Sequence, residues 1–212
     1  MRKIKRFKIT ARQKEILRRL LRAGGLLRQA GFTTEPEVIQ YILEGFQTIN
    51  PGVVYEFNQD AHWELDNENT VYKEMFSACA VTLGAELEKW VEQAHQANPA
   101  RYMVAGTIAF EFLKSAVSFV TDLIREQAEK EEFDTQDPQF VYLPPFGVTA
   151  PPKLLREAIR LEKTLADKTL PVILEKLNTD KVDISLENEL LSPFYTAVFL
   201  VPWQKARKKG KK

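Results

Sequence analysis

The stretch FSACAVTLGAELEKWVEQAHQANPARYMVAGTIAFEFLKSAVSF, residues 76–119, decides the fold class. Its opening run, Phe76 to Leu83, is short, uncharged and built of small and apolar residues, the composition of a central strand covered on both faces. Gly84 breaks the run, and Leu87, Trp90, Val91 and Ala94 then recur at helical spacing. Asn98 followed by Pro99 restarts the chain, the asparagine as a cap and the proline at the first helical position. The helix that follows is expected to run to about Glu131, long for a globular domain. Ala105, Gly106, Ala109, Ser115 and Ala116 leave room on it for a close neighbour, so it reads as the central helix.

Toward the N-terminus, Thr10 and Gln13 have the spacing of a capping box ahead of the stripe Ile16, Leu17, Leu20 and Leu21, and Gly24 with Gly25 supplies a stop. Thr34, Pro36 and Glu37 start a second helix with Val38, Ile39, Ile42, Leu43, Phe46 and Ile49 on its inner face. Pro51 and Gly52 end it, and Val53 to Phe57 has strand composition, continuing after a turn into His62 to Leu65. Toward the C-terminus, Phe140 to Pro152 (FVYLPPFGVTAPP) holds four prolines in thirteen residues and no charge, so it cannot be regular throughout. A helix is expected from about Pro152 to Ala166, another over Leu170 to Leu177, and strands over Val182 to Leu186 and Tyr195 to Val201. The prediction is an α+β fold: a helix-rich single domain with a small mixed or antiparallel sheet packed on a long central helix. At 212 residues, 44% of them hydrophobic, the chain is long and apolar enough for one real core.

Charge is segregated. Eleven of the 30 basic residues stand in positions 1–30 beside the single acid Glu15, and six stand in 205–212; the other thirteen share positions 31–204 with 28 acids. Basic flexible ends are therefore expected at about 1–9 and 204–212 around an acidic body. They can fold back on that body, or reach nucleic acid or an acidic protein partner. An Arg-rich, acid-poor start is also the composition of an organellar transit peptide, against which the capped helix at Thr10 argues. The single Cys79 excludes an internal disulfide and fits a reducing compartment. No unbroken apolar run approaches the roughly 20 residues of a membrane helix, and a cytoplasmic location is expected.

The chemistry is sparse. There is no paired-cysteine zinc motif, Gly-rich phosphate loop, nucleophile elbow or HExxH. Asp60, His62 and Glu64 alternate, and on a strand would share a face as either a polar edge or a cation site. Cys79 reads as a small core residue or a reactive thiol, and His95 sits near a helix end where the dipole favours it. Glu111 is the only charge between Tyr102 and Leu113. It either binds the polar end of a ligand from inside the core helix, or pairs at the helix edge with Lys114.

With these segments in order, the chain resembles the S-adenosylmethionine-binding activation domain of cobalamin-dependent methionine synthase and its free-standing relatives. The resemblance is carried by VTLG (Val81 to Gly84) with ELEKWVEQA behind it, the small-residue helix, the proline segment and FLVP (Phe199 to Pro202), together with the N-terminal EILRRL. It implies one domain over 1–212 that supports reductive activation of a corrinoid (vitamin B12) cofactor held by a corrinoid-binding protein or methyltransferase. The family's ligand loop reads approximately Arg-x-Ser-Pro-Gly-Tyr-Gly, onto which residues 141–147 fall. Val141 replaces the arginine, Pro145 the first glycine and Phe146 the tyrosine, and WQKARKKGKK follows where relatives continue into a serine-rich segment. The resemblance thus implies a cofactor-binding set of Glu111, Tyr142, Pro144, Phe146 and Gly147, and an accessory or binding protein rather than a self-sufficient enzyme. The competing reading is a non-enzymatic adaptor acting through its basic ends; a third is a domain that associates with itself through the proline segment.

Overall fold

Strand β3, Phe76–Thr82, lies inside the sheet with all seven residues buried. The computed structural model, which describes residues 2–10, 12–58, 75–145, 155 and 158–206, builds the rest of the fold around it. In chain order the elements are β1 (Arg2–Lys5), α1 (Gln13–Leu21), α2 (Leu26–Gln29), α3 (Glu35–Thr48), β2 (Gly52–Asn58), β3, α4 (Ala85–Ala97) and α5 (Pro99–Lys130). Then come β4 (Phe133–Thr135), β5 (Gln139–Tyr142), β6 (Ile159–Arg160), α6 (Lys163–Leu177), β7 (Ser185–Glu187), β8 (Leu190–Ser192) and β9 (Thr196–Lys205). The main sheet runs β1-β2-β3-β9-β5-β6, with β4 also on β9, and β7 and β8 form a separate hairpin. Its pairings are antiparallel except β5 with β6, so it is mixed and the fold is α+β.

Strand alternation divides the interior in two. Val53, Tyr55, Cys79, Val81, Phe199 and Val201 share one cluster with α5 and the N-terminal helices. Val54, Phe76, Ala78, Ala80, Val198 and Leu200 share the other with Leu170, Ile173, Leu174 and Leu177 of α6. Both faces are covered, which is why β3 and β9 read as continuous apolar runs rather than alternating ones.

Helix α5 starts as expected, with the Asn98 side chain accepting the Arg101 N–H at 2.7 Å and Pro99 in the first turn. Ten consecutive residues, Val104 to Leu113, are buried. A helix apolar all round must be enclosed, and α5 is: strands lie on one side and α1, α2, α3 and α4 on the other. By length and composition its 32 residues would also suffice to cross a membrane, although charges interrupt its apolar run; 72% of its apolar window is buried inside the protein, where it serves as the core helix.

The Thr34 and Glu37 capping box forms, and Gly24 and Gly25 adopt positive φ after α1. Four expectations change, one of them the strand expected over Val182 to Leu186, where a 3-10 turn at Thr179–Val182 precedes the shorter β7 at Ser185–Glu187. Thr10 does not cap α1: the helix begins at Gln13 behind Arg12, whose guanidinium meets Glu15 at 3.0 Å. The basic start is not a loose end, since Arg2 to Lys5 pair with Gly52 to Tyr55, and Phe7 and Ile9 are buried. Cationic side chains suit such an edge because they discourage further strand pairing. Finally, the helix expected to Ala166 gives way to β6 at 159–160, and α6 continues through Pro171. The missing Pro171 N–H deprives the Asp167 carbonyl of its helical partner, while Leu170, Ile173, Leu174 and Leu177 hold the helix on the sheet.

Candidate functional site

The proline segment leaves the sheet from a bulge. Phe140 pairs with Phe199 and Tyr142 with Val198, so Val141 is the extra residue on β5. A bulge re-aims side chains. Here Phe140 stays on the α5 face, whereas both Val141 and Tyr142 pack on the α6 face. The Tyr142 hydroxyl accepts the Leu191 N–H at 3.2 Å, tying the segment to the β7–β8 hairpin. Burial pushes this phenol above its ordinary pKa, against the Leu191 hydrogen bond that lowers it. Leu143 turns back to the α5 face, Pro144 is buried and Pro145 is exposed. Beside Leu191, Leu186 and Leu190 of the hairpin are 40% and 45% exposed. Phe146 and Gly147 lie outside the described residues.

Glu111 stands elsewhere. It is buried on α5 and held between Arg19, at 3.2 Å, and Lys114, at 3.8 Å. The Lys114 pairing was legible from the i,i+3 spacing; the Arg19 one was not, because it depends on how α1 lies across α5. Next to this pair is an open cleft of about 500 Å³ lined by Lys8, Thr10, Arg12, Glu15, Ile16, Ser115, Ser118, Phe119 and Asp122 among others. The sheet separates Glu111 from Tyr142, so the structure brings Tyr142 and Pro144 together and leaves Glu111 on the far side.

The remaining candidates are structural or lie outside the described residues. Cys79 is fully buried, and burial pushes its thiol well above the ordinary range, the reverse of an activated thiolate. His95, in the last turn of α4, meets Tyr102 edge to face at 4.9 Å. Asp60, His62 and Glu64 are among the residues not described. Among the described residues no group of three or more His, Cys, Asp or Glu could hold a metal ion.

The residues fit one of the implied ligands poorly. Val141 to Pro145 carry no charge, so this part of the segment offers no guanidinium or ammonium to the carboxylate of S-adenosylmethionine. In comparison with known proteins, no family model matches the chain and no curated protein matches its sequence.

Proposed function

We propose that this chain is a cytoplasmic accessory protein of corrinoid-dependent methyl transfer, related to reductive activation of cobalamin. It presents the Tyr142 to Gly147 segment to a corrinoid carried by a partner, a corrinoid-binding protein or methyltransferase. The methyl group and electrons come from other components, and no step is assigned to S-adenosylmethionine on this chain. The supporting observation is that the separate stretches behind the resemblance form one unit. The VTLG strand pairs with the FLVP strand over seven residues in register, β5 lies on the other side of FLVP, and the small-residue helix covers one face. Tyr142, at the start of the proline segment, is tied from that unit to the hairpin.

Isothermal titration tests the reading. Heat is expected on mixing the chain with a cobalamin-loaded corrinoid protein, and Tyr142→Ala with Phe146→Ala should remove it. No heat with cobalamin, S-adenosylmethionine or the loaded partner overturns the proposal.

A second reading, an adaptor for nucleic acid, is favoured by one observation. Lys14 and Arg18 on the exposed side of α1 and Arg22 at its C-cap recur every four residues, and among the described residues no acid pairs with them. Because residues 2–9 belong to the fold, charge substitution tests this better than deletion. Replacing the three by Gln should abolish a low-salt gel shift and flatten its salt dependence, since each phosphate contact releases condensed counterions. An unchanged shift removes the reading.

A further inference from the structure

The cleft beside Glu111 is walled by a segment whose alternation is legible residue by residue. Phe7 and Ile9 are buried, Phe7 stacking on Phe119 of α5 at 4.8 Å and 8°, so the intervening Lys8 and the following Thr10 point outward. Both line the cleft, opposite Lys114, Ser115, Ser118 and Asp122 of α5. Glu111, Glu15 and Asp122, the three carboxylates of the lining, are each committed to an arginine, Arg19 at 3.2 Å, Arg12 at 3.0 Å and Arg125 at 2.9 Å. The Ser115 hydroxyl donates to the Glu111 carbonyl.

What is left over is of one kind. Among the described residues nothing pairs with Lys8 or engages the hydroxyls of Thr10 and Ser118, and Lys114 is held only at 3.8 Å. Two ammonium groups and two hydroxyls are donors without a full complement of acceptors, and Phe119 and Ile16 supply apolar surface beside them. The lining itself balances three cations, Lys8, Arg12 and Lys114, against three carboxylates, so what favours an anion is not net charge but the ammonium groups and hydroxyls left without acceptors. Its size falls in the range of small-molecule sites.

We propose that this cleft binds a small organic oxyanion, a phosphate monoester or a carboxylate. Its head sits on Lys8, Lys114, Thr10 and Ser118, and its apolar body lies against Phe119 and Ile16. The paired carboxylates fix the arginines and repel a ligand placed one residue off. The inference does not rest on the corrinoid reading, because the cleft and Tyr142 lie on opposite faces of the sheet.

The experiment is isothermal titration at low ionic strength with phenyl phosphate, benzoate and inorganic phosphate. Saturable binding of one equivalent of phenyl phosphate or benzoate is expected, tighter than inorganic phosphate, and the preferred aromatic anion identifies the head group. Lys8→Gln should weaken it about tenfold, the loss of one charge-assisted hydrogen bond, and Ser118→Ala by a smaller factor. Lys163→Gln, exposed at the start of α6 on the other side of the sheet, should leave it unchanged. No saturable binding by any of the three overturns the proposal. So does an equal loss in Lys163→Gln, which would mean attraction to general positive charge. Lys8 is exposed, so the first variant is expected to fold; if it does not, retention of full affinity in Ser118→Ala overturns the proposal.

Discussion

The two faces of the sheet are both dry, but they are covered by layers of different thickness. On one, α5 is itself enclosed, with strands beneath it and four helices over it. On the other, α6 is a single layer whose outer side meets solvent and whose hydrogen-bond ladder is interrupted at Pro171. The difference teaches where motion can be had at low cost. Local opening needs few buried contacts and exposed backbone bonds. The thin side has the smaller buried cluster and the interrupted ladder, and it is the side that carries Tyr142 and the hairpin.

Core truncations on the two sides should break or sharpen this contrast most strongly. Phe112 is fully buried and meets Phe46 edge to face at 5.6 Å. Phe112→Ala should cost about 3–5 kcal/mol, with no collapse available to fill the cavity. In urea unfolding the midpoint falls, and in hydrogen exchange every slow amide loses protection together. Ile173 of α6 is equally buried. Ile173→Ala should cost about 2–4 kcal/mol, but protection should fall first and furthest in α6 and the hairpin. Uniform loss in both variants would show that the thin side has no independence.

Gly84 joins β3 to the helical side. It holds φ +86° and ψ 162°, a region in effect reserved for glycine, and an added Cβ would stand 3.0 Å from the Asn50 carbonyl oxygen. Gly84→Ala should therefore destabilise by about 1–3 kcal/mol. The backbone of Asn50, which donates to the Leu83 carbonyl at 2.9 Å, has to move with it. The loss should register in α4 and α3 rather than in α6. An effect confined to α6 would contradict the division of the core.

Much of this was legible because it is local. The apolar run of β3, the Asn98–Pro99 restart and the Thr34 box each sit within a few residues, and each formed where expected. What was not legible depends on pairing across the chain. Arg2 to Lys5 carries three charges in four residues and shows no strand pattern; it is a strand because β2 offers it an edge. Two separate helices were expected, one ending at Ala166 and one starting at Leu170, yet four leucine and isoleucine anchors on a sheet made far away in sequence hold a single α6 across that gap and through Pro171. The separation of Glu111 from Tyr142 follows from the bulge at Val141 and the pairing of β5 with β9, which no periodicity reports.

Alkaline pH probes the thick side through Cys79. In the unfolded chain this thiol ionises near about pH 8.5. In the folded protein burial holds its pKa well above that value. Above the unfolded value the unfolded state releases a proton that the folded state keeps, so stability is full below about pH 8.5 and lost as pH rises, by up to about 1.4 kcal/mol per pH unit. Urea midpoints from about pH 8 to 10 should fall more gently in Cys79→Ala than in the parent. Tyr41, Tyr142 and Tyr195, whose pKa values burial also raises, leave a residual slope at the top of this range. Equal slopes would mean that Cys79 is hydrated.

The smallest expected effect falls on the thin side and separates pinning from packing. Tyr142→Phe keeps the ring among Val141, Leu191 and their neighbours but removes the oxygen that accepts the Leu191 N–H. The cost is that of one partly buried hydrogen bond, about 1 kcal/mol. Because Leu191 belongs to the two-stranded hairpin, the Leu191 amide and its neighbours should exchange faster while α5 is unaffected. The same variant reports on the proposed function. If the segment meets its partner through its position rather than through the hydroxyl, loosening it should weaken binding by up to the same factor, as the bound geometry has to be re-formed on contact. Unaltered exchange at Leu191 would show that the phenol rests against the hairpin without holding it, and the bulge alone would then aim the segment.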